Sequence, residues 1–356
     1  MDKDNMIATH TTDDNDTNKE IQYELNKSGV DIKFFFRLGI TLLLLIVLAS
    51  KINWIELKAA VTRINIIPFL ISYSVFLAST VVLAFRLQTL MRPTVFSFSI
   101  GQLMKIQFIS RFYSMFLPAG IGLAAARWFQ ITQNRVGRRL FVVITLIERM
   151  MLLVLLLLCA GIPLFMIHDN ATDALRSSAA PPLMLLLFIC LLFFGYLLHP
   201  WIYERLTAFL QWVQNRISFS FIKKTLGIYE DFGLYIKNRR FIARSFGFHV
   251  VYQGLNFIRF FLVFAALQVQ LPLLTIIWIS ALILLVLIIP VSLAGFGVRE
   301  SGFAWIVTLY GIQPEVGVLI GVLLSCHVLM NAIIGATIRV METLYQKKNN
   351  AKATDH

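Results

Sequence analysis

The sequence predicts an all-α polytopic membrane protein: six full transmembrane helices plus two re-entrant helical hairpins in an inverted-repeat arrangement. Three observations predict it. Of 356 residues, 58% are apolar and 14% charged, with a mean hydropathy of +0.75; a soluble domain averages about 45–50% apolar and about 25% charged. The apolar residues fall into long blocks rather than alternating patterns. Ionisable residues stand inside several of those blocks, where hydrocarbon makes them expensive.

A span needs about 20 predominantly apolar residues. Six blocks read as continuous spans: 34–50, 67–85, 140–167, 181–199, 245–267 and 316–338. Two more are interrupted, 95–127 at Pro118-Ala119-Gly120 and 273–311 at Pro290 and the Gly295/Gly297 pair. Proline inside an apolar stretch removes a backbone donor where no water replaces it. Such breaks persist only where protein or a wet cavity satisfies the backbone. Each break is therefore a site candidate, or else a proline kink filled by neighbouring helices.

The ends and loops follow from charge. Residues 1–31 hold three bases and eight acids and read as a disordered acidic tail, without the apolar core of a signal peptide. The other 325 residues carry 29 Lys/Arg against 11 Asp/Glu. Segment 201–244 has eight bases and three acids, and 127–139 has Arg127, Arg135, Arg138 and Arg139. Both read as cytoplasmic. Connections 168–180 and 268–272 are poor in bases and read as outside, whereas 51–66, with Lys51, Lys58 and Arg63, goes against the alternation. Arg86 and Arg92 close the second span on the inside. Both termini are then cytoplasmic, with 32–340 as the membrane domain and 341–356 as a second tail. The first broken stretch enters and leaves from the cytoplasm, and the second from the opposite face. Inverted repeats of this kind place a site between the breaks, near the midplane.

In both breaks an Arg follows the Pro by nine residues: Pro118, Gly122 and Arg127 in one, Pro290, Ser292, Gly295, Gly297 and Arg299 in the other. Within 201–244, Ile202, Leu206, Phe209, Val213 and Ile217 recur at helical spacing. That pattern fits an interfacial amphipathic helix or a packing helix over the bundle end.

The intramembrane ionisable residues are Lys105, Arg111, Arg127, Glu148, Arg149, Arg259, Arg299, Glu300 and His327. Surplus guanidinium groups call for bidentate anions such as phosphate. The expectation is a head-group site formed by Arg127, Arg149 and Arg299, oriented by Glu148 and Glu300, with Lys105 and Arg111 as accessories. Two plainer readings stay open. Glu148 with Arg299, and Arg149 with Glu300, would make interhelical clamps without a ligand, and Lys105 and Arg111 would snorkel to the interface. His327 beside Asn331 reads as a packing pair. Cys159, Cys190 and Cys326 lie in apolar runs without metal-ligand spacing. No nucleic-acid module, phosphate loop or catalytic motif is present. The expectation is therefore no catalytic residue, metal or cofactor, although a membrane-embedded transferase stays an alternative.

At these residues the chain resembles a known family. "FLPAGIGLAAAR" (116–127), "IERM" (147–150) and "IPVSLAGFGVRE" (289–300) resemble the flippase-like family related to the transmembrane region of lysylphosphatidylglycerol synthases, over roughly 34–340. The last motif matches the family form through Pro290, Ser292, Gly295, Gly297, Arg299 and Glu300. The first keeps Pro118, Gly122 and Arg127 but has Leu123 and Ala124 where the family has Gly and Asp. The resemblance implies a stand-alone member without the synthase domain, in a bacterial-type inner membrane. It would move an anionic phospholipid or isoprenoid-phosphate lipid between leaflets. A non-transporting scaffold for a lipid, glycan or hopanoid pathway is the alternative.

Overall fold

The computed structural model describes residues 32–94, 97–117, 122–132, 138–167, 180–192, 195, 199–216 and 220–354. The acidic tail and Pro118–Ile121 of the first break lie outside them. Every element is a helix: α1 (Ile32–Lys51), α2 (Trp54–Thr62), α3 (Ile66–Met91), α4 (Ile100–Ser114), α5 (Gly122–Thr132), α6 (Arg138–Met166) and α7 (Ala180–Leu192). Then follow α8 (Pro200–Arg216), α9 (Ser220–Lys237), α10 (Arg239–Ala266), α11 (Leu273–Val286), α12 (Val298–Thr308) and α13 (Pro314–Thr354).

Length divides these helices into two kinds. Among the described residues four are long and apolar enough to cross a membrane: α3, α6, α10 and the Pro314–Tyr345 part of α13. A fifth arises if α1 and α2, bent by 91° where they meet, count as one span. By contrast α4, α5, α11 and α12 have 15, 11, 14 and 11 residues. At about 1.5 Å per residue none reaches the roughly 30 Å of hydrocarbon. The protein is thus a multi-pass helical bundle with short apolar helices among its spans.

Boundaries moved in informative ways. Helix α3 runs to Met91 rather than stopping at 85, which brings Arg86 inside the bundle. Helix α13 continues through Thr354. Segment 201–244 comprises α8, α9 and the start of α10. In α9, Phe232, Tyr235 and Ile236 are buried against α6 and α3, so this part is a packing helix. Burial, with Asp231 nearby, pushes the Tyr235 phenol up from its ordinary value, and it donates to the Leu90 carbonyl at 2.7 Å.

The second break stands where the sequence puts it, between α11 and α12. Several of its backbone N–H groups find partners within the protein. Val291 N–H donates to Ile289 O, Leu293 N–H to Thr41 Oγ1, Phe296 N–H to Leu293 O and Gly297 N–H to Glu300 Oε2. Ala294, Gly295 and Gly297 have φ of 49°, 84° and 80°. Gly297 also has no room for a side chain, since a Cβ would lie 2.9 Å from Leu44 Cβ. The second break touches the turn that follows α4, where Ala294 N–H donates to Leu117 O at 3.4 Å.

Helix α13 ties both broken units together. Gly317 and Gly321 let it approach the backbone of α12, with Cβ positions 2.6 Å from Ala304 Cα and 2.7 Å from Glu300 Cα. Gly335 lies against the Phe108 carbonyl of α4. Two large apolar cores result, with a smaller cluster of Val154, Leu157, Leu187 and Cys190 between α6 and α7. One gathers Trp278, Phe264, Phe303 and Leu324, and the other Leu87, Leu103, Ile144 and Tyr235. Buried polar residues collect at their boundary.

Candidate functional site

Glu148 of α6 organises the first half of that boundary. Arg86 of α3 donates Nη2–H to Oε1 at 2.6 Å, and Arg127 of α5 donates Nη2–H to Oε2 at 2.7 Å. A second Arg127 bond reaches Oε1 at 3.3 Å. Arg86 Nη1 also contacts His249 Nδ1 on α10. A guanidinium only donates, so Nδ1 accepts and the imidazole proton sits on Nε2. All three ionic side chains are about 6% exposed, and two guanidiniums against one carboxylate leave a single surplus charge. Arg149 stands half-buried beside this node, within reach of its charges.

A second node has no carboxylate among the described residues. Arg111 of α4 and Arg259 of α10 both stack on Phe76 of α3, with guanidinium carbons 4.7 and 4.3 Å from the ring centroid. Arg259 also lies 5.1 Å from the Phe260 centroid. Both arginines are buried, and their Nε atoms have no partner among the described residues. Cation–π contacts contribute about 0.5–2 kcal/mol each. Burying an ion costs several kcal/mol, so the ring alone does not balance the pair. Tyr252, one turn beyond His249 on α10, faces Arg111 and feels the charge of Arg259 and Arg86 as well. Arg111 in turn feels Arg127, and Arg259 feels Arg299. Charge interactions thus link the guanidiniums of the two nodes and Arg299 into a row.

The row ends at the second break. Arg299 Nη1 donates to Ser325 Oγ at 2.6 Å, and Ser325 donates onward to Glu300 Oε1 at 2.6 Å. The other Glu300 oxygen accepts Gly297 N–H at 2.7 Å, which closes the first turn of α12. Ser292 Oγ is buried without a partner among the described residues. His327 sits between Ser72 at 3.2 Å and the Phe69 ring, and Tyr73 donates to Asn331 at 3.3 Å.

The geometry corrects several expectations. The clamps Glu148–Arg299 and Arg149–Glu300 do not form, since each acid is engaged by other groups. Lys105 and Arg111 part company: Lys105 pairs with Glu342 at 2.6 Å and is 42% exposed, while Arg111 is deep in the row rather than at an interface. Of the break residues, Gly295 lies against the Arg299 guanidinium, Pro290, Ser292 and Gly297 stand in the turn before α12, and Gly122 opens α5. Pro118 lies outside the described residues. Arg86 and His249 were missed. The signal for Arg86 is the stripe Ser72, Ser79, Thr80, Arg86 on α3, which is polar at helical spacing on an otherwise apolar helix.

The sequence model of the family described as lysylphosphatidylglycerol synthase TM region matches residues 34–335. No curated protein and no solved structure matches the chain.

Proposed function

The chain belongs to the family of the lysylphosphatidylglycerol synthase transmembrane region, and from that membership we propose that it carries an anionic, phosphate-bearing lipid or lipid-linked precursor between the leaflets of an inner membrane. The observation that carries this reading is the row of buried Arg86, Arg127, Arg111 and Arg259 and half-buried Arg299, met among the described residues by two acids, Glu148 and Glu300. Hydrocarbon does not hold surplus guanidinium without an anion. Arg127, Arg149 and Arg299 receive the head group, and Glu148 and Glu300 hold the arginines in place between ligands. The tails stay in the bilayer.

In this reading the chain makes six crossings with both termini cytoplasmic. Helices α4–α5 and α11–α12 are re-entrant hairpins entering from opposite faces, related as an inverted repeat. Their shortness and the Ala294–Leu117 bond support that arrangement. The membrane domain is 32–340, flanked by cytoplasmic tails, and it moves lipid without chemically changing it.

The test is reconstitution into vesicles with a fluorescent phospholipid and a membrane-impermeant quencher. The protein should raise the quenchable fraction above protein-free vesicles, and Arg299→Ala or Glu300→Ala should abolish the gain while leaving insertion intact. Full activity in both variants would reject the site. A second reading, a scaffold for a lipid-modifying enzyme, draws on α8, where Trp201, Phe209 and Trp212 are exposed. Neutralising the bases of 201–244 should disable a scaffold and leave a translocator largely active.

A further inference from the structure

The two arginine nodes differ in what they lack, and the difference bears on the head group. At Glu148 the terminal nitrogens of Arg86 and Arg127 bond the carboxylate and His249, their Nε atoms have no partner among the described residues, and one positive charge is left over. Arg299 gives its donors to Ser325 and, at 3.5 Å, to the Ala294 carbonyl. At Phe76, Arg111 and Arg259 bring two full charges and no carboxylate answers either among the described residues. An aromatic face holds a guanidinium in place without using its N–H groups, so each arginine keeps donors for something else.

We infer that Arg111 and Arg259 seat a phosphate monoester at the end of a lipid, in preference to the phosphodiester of an ordinary phospholipid. This rests on the lipid-carrying reading and makes it specific. A phosphodiester carries one negative charge, whereas a monoester carries about −1.5 to −2 at neutral pH and offers three terminal oxygens. Only the latter matches two guanidiniums that face the Tyr252 phenol and no acid among the described residues. Further donors stand ready on the same helices. Gln107, one turn before Arg111, has neither amide atom engaged, and Gln253, beside Tyr252, has a free Nε2; both side chains are buried. The Tyr252 hydroxyl faces Arg111, and Tyr252 itself is only half-buried while Val251 next to it is exposed. That side of α10 offers the way in from the bilayer.

The experiment measures binding of phosphatidic acid and phosphatidylglycerol with the same acyl chains to the purified full-length protein in detergent. Native mass spectrometry with the two lipids in competition at pH 7.5 would read the outcome. Phosphatidic acid should be preferred by tenfold or more. Arg111→Gln and Arg259→Gln should each remove the preference, while Arg111→Lys and Arg259→Lys, which keep the charge, should retain most of it. Equal binding of the two lipids by the unaltered protein overturns the inference and leaves the broader function standing, and that comparison needs no variant to fold. Binding of neither lipid overturns both. Glycerol 3-phosphate, a soluble monoester, should displace phosphatidic acid only at far higher concentration. Displacement at equal concentration overturns the lipid assignment and leaves a soluble phosphate as the ligand.

Discussion

Two pairs of buried arginines lie within a few turns of each other and are stabilised in opposite ways. Arg86 and Arg127 share a carboxylate, Glu148, at 2.6 and 2.7 Å. Arg111 and Arg259 share an aromatic ring, Phe76, and no acid among the described residues. The first pair has an acid of the protein as its partner, with one positive charge left over. The second has none among the described residues, and a fold that retains it trades stability for something the arginines do. Buried charge without a partner lowers stability, and such sacrifices concentrate at functional sites.

The largest expected effect breaks the first pair. Glu148→Ala leaves two guanidiniums buried and unpaired, and loss of one partner from a buried ion pair costs about 3–5 kcal/mol. The variant should melt far below the parent in detergent or fail to accumulate. A parent-like melting temperature would show that water reaches this node. The contrasting prediction concerns Arg111→Met and Arg259→Met. Replacing a buried charge that no acid answers among the described residues by an apolar side chain of similar length should be neutral or stabilising, by as much as about 1–4 kcal/mol. Transport should nevertheless fall at least tenfold. If these variants were as damaged in stability as Glu148→Ala, the two nodes would be alike and the contrast would vanish.

Phe76→Leu comes next. It removes a ring that is 2% exposed and holds both guanidiniums, with Arg259 at 4.3 Å. The lost stacking of about 0.5–2 kcal/mol per arginine adds to a modest loss of packing. A fall in melting temperature smaller than that of Glu148→Ala is expected, with weaker transport. Phe76→Trp, which offers a better face, should keep more activity than Phe76→Leu.

How much of this could be read beforehand depended on whether a feature is local. Pro290, Gly295 and Gly297 announce a break because a missing N–H and positive φ are properties of the residues themselves. Glu148 announces a node because an acid nine residues into an apolar run has nowhere else to go. Its partners could not be read, since Arg86 and His249 come from α3 and α10, and only the crossing of helices brings them together. Arg86 was concealed further by the length of α3. An arginine near an apparent helix end looks like an anchor to the interface, and only the extra turn to Met91 turns it inward. The mistaken clamps Glu148–Arg299 and Arg149–Glu300 share this origin, for complementary charge says that partners are needed and not which helices meet.

The smallest effect belongs to the one accessory residue that the bundle leaves near its surface. Lys105 and Glu342 are 2.6 Å apart, yet their side chains are 42% and 24% exposed, and Arg339 approaches the same carboxylate at 3.3 Å. Exposed ion pairs contribute about 0–1 kcal/mol, because solvent screens them and two flexible side chains must be held still. Lys105→Ala should therefore shift the melting temperature little and leave transport within about twofold, since Arg339 still neutralises Glu342. A loss comparable to that of Arg111→Met would extend the guanidinium row outward along α4 to Lys105 and make this pair a stage in the path. Unchanged transport confines the row to its buried part, between Glu148 and Ser325, where the two kinds of arginine pair meet.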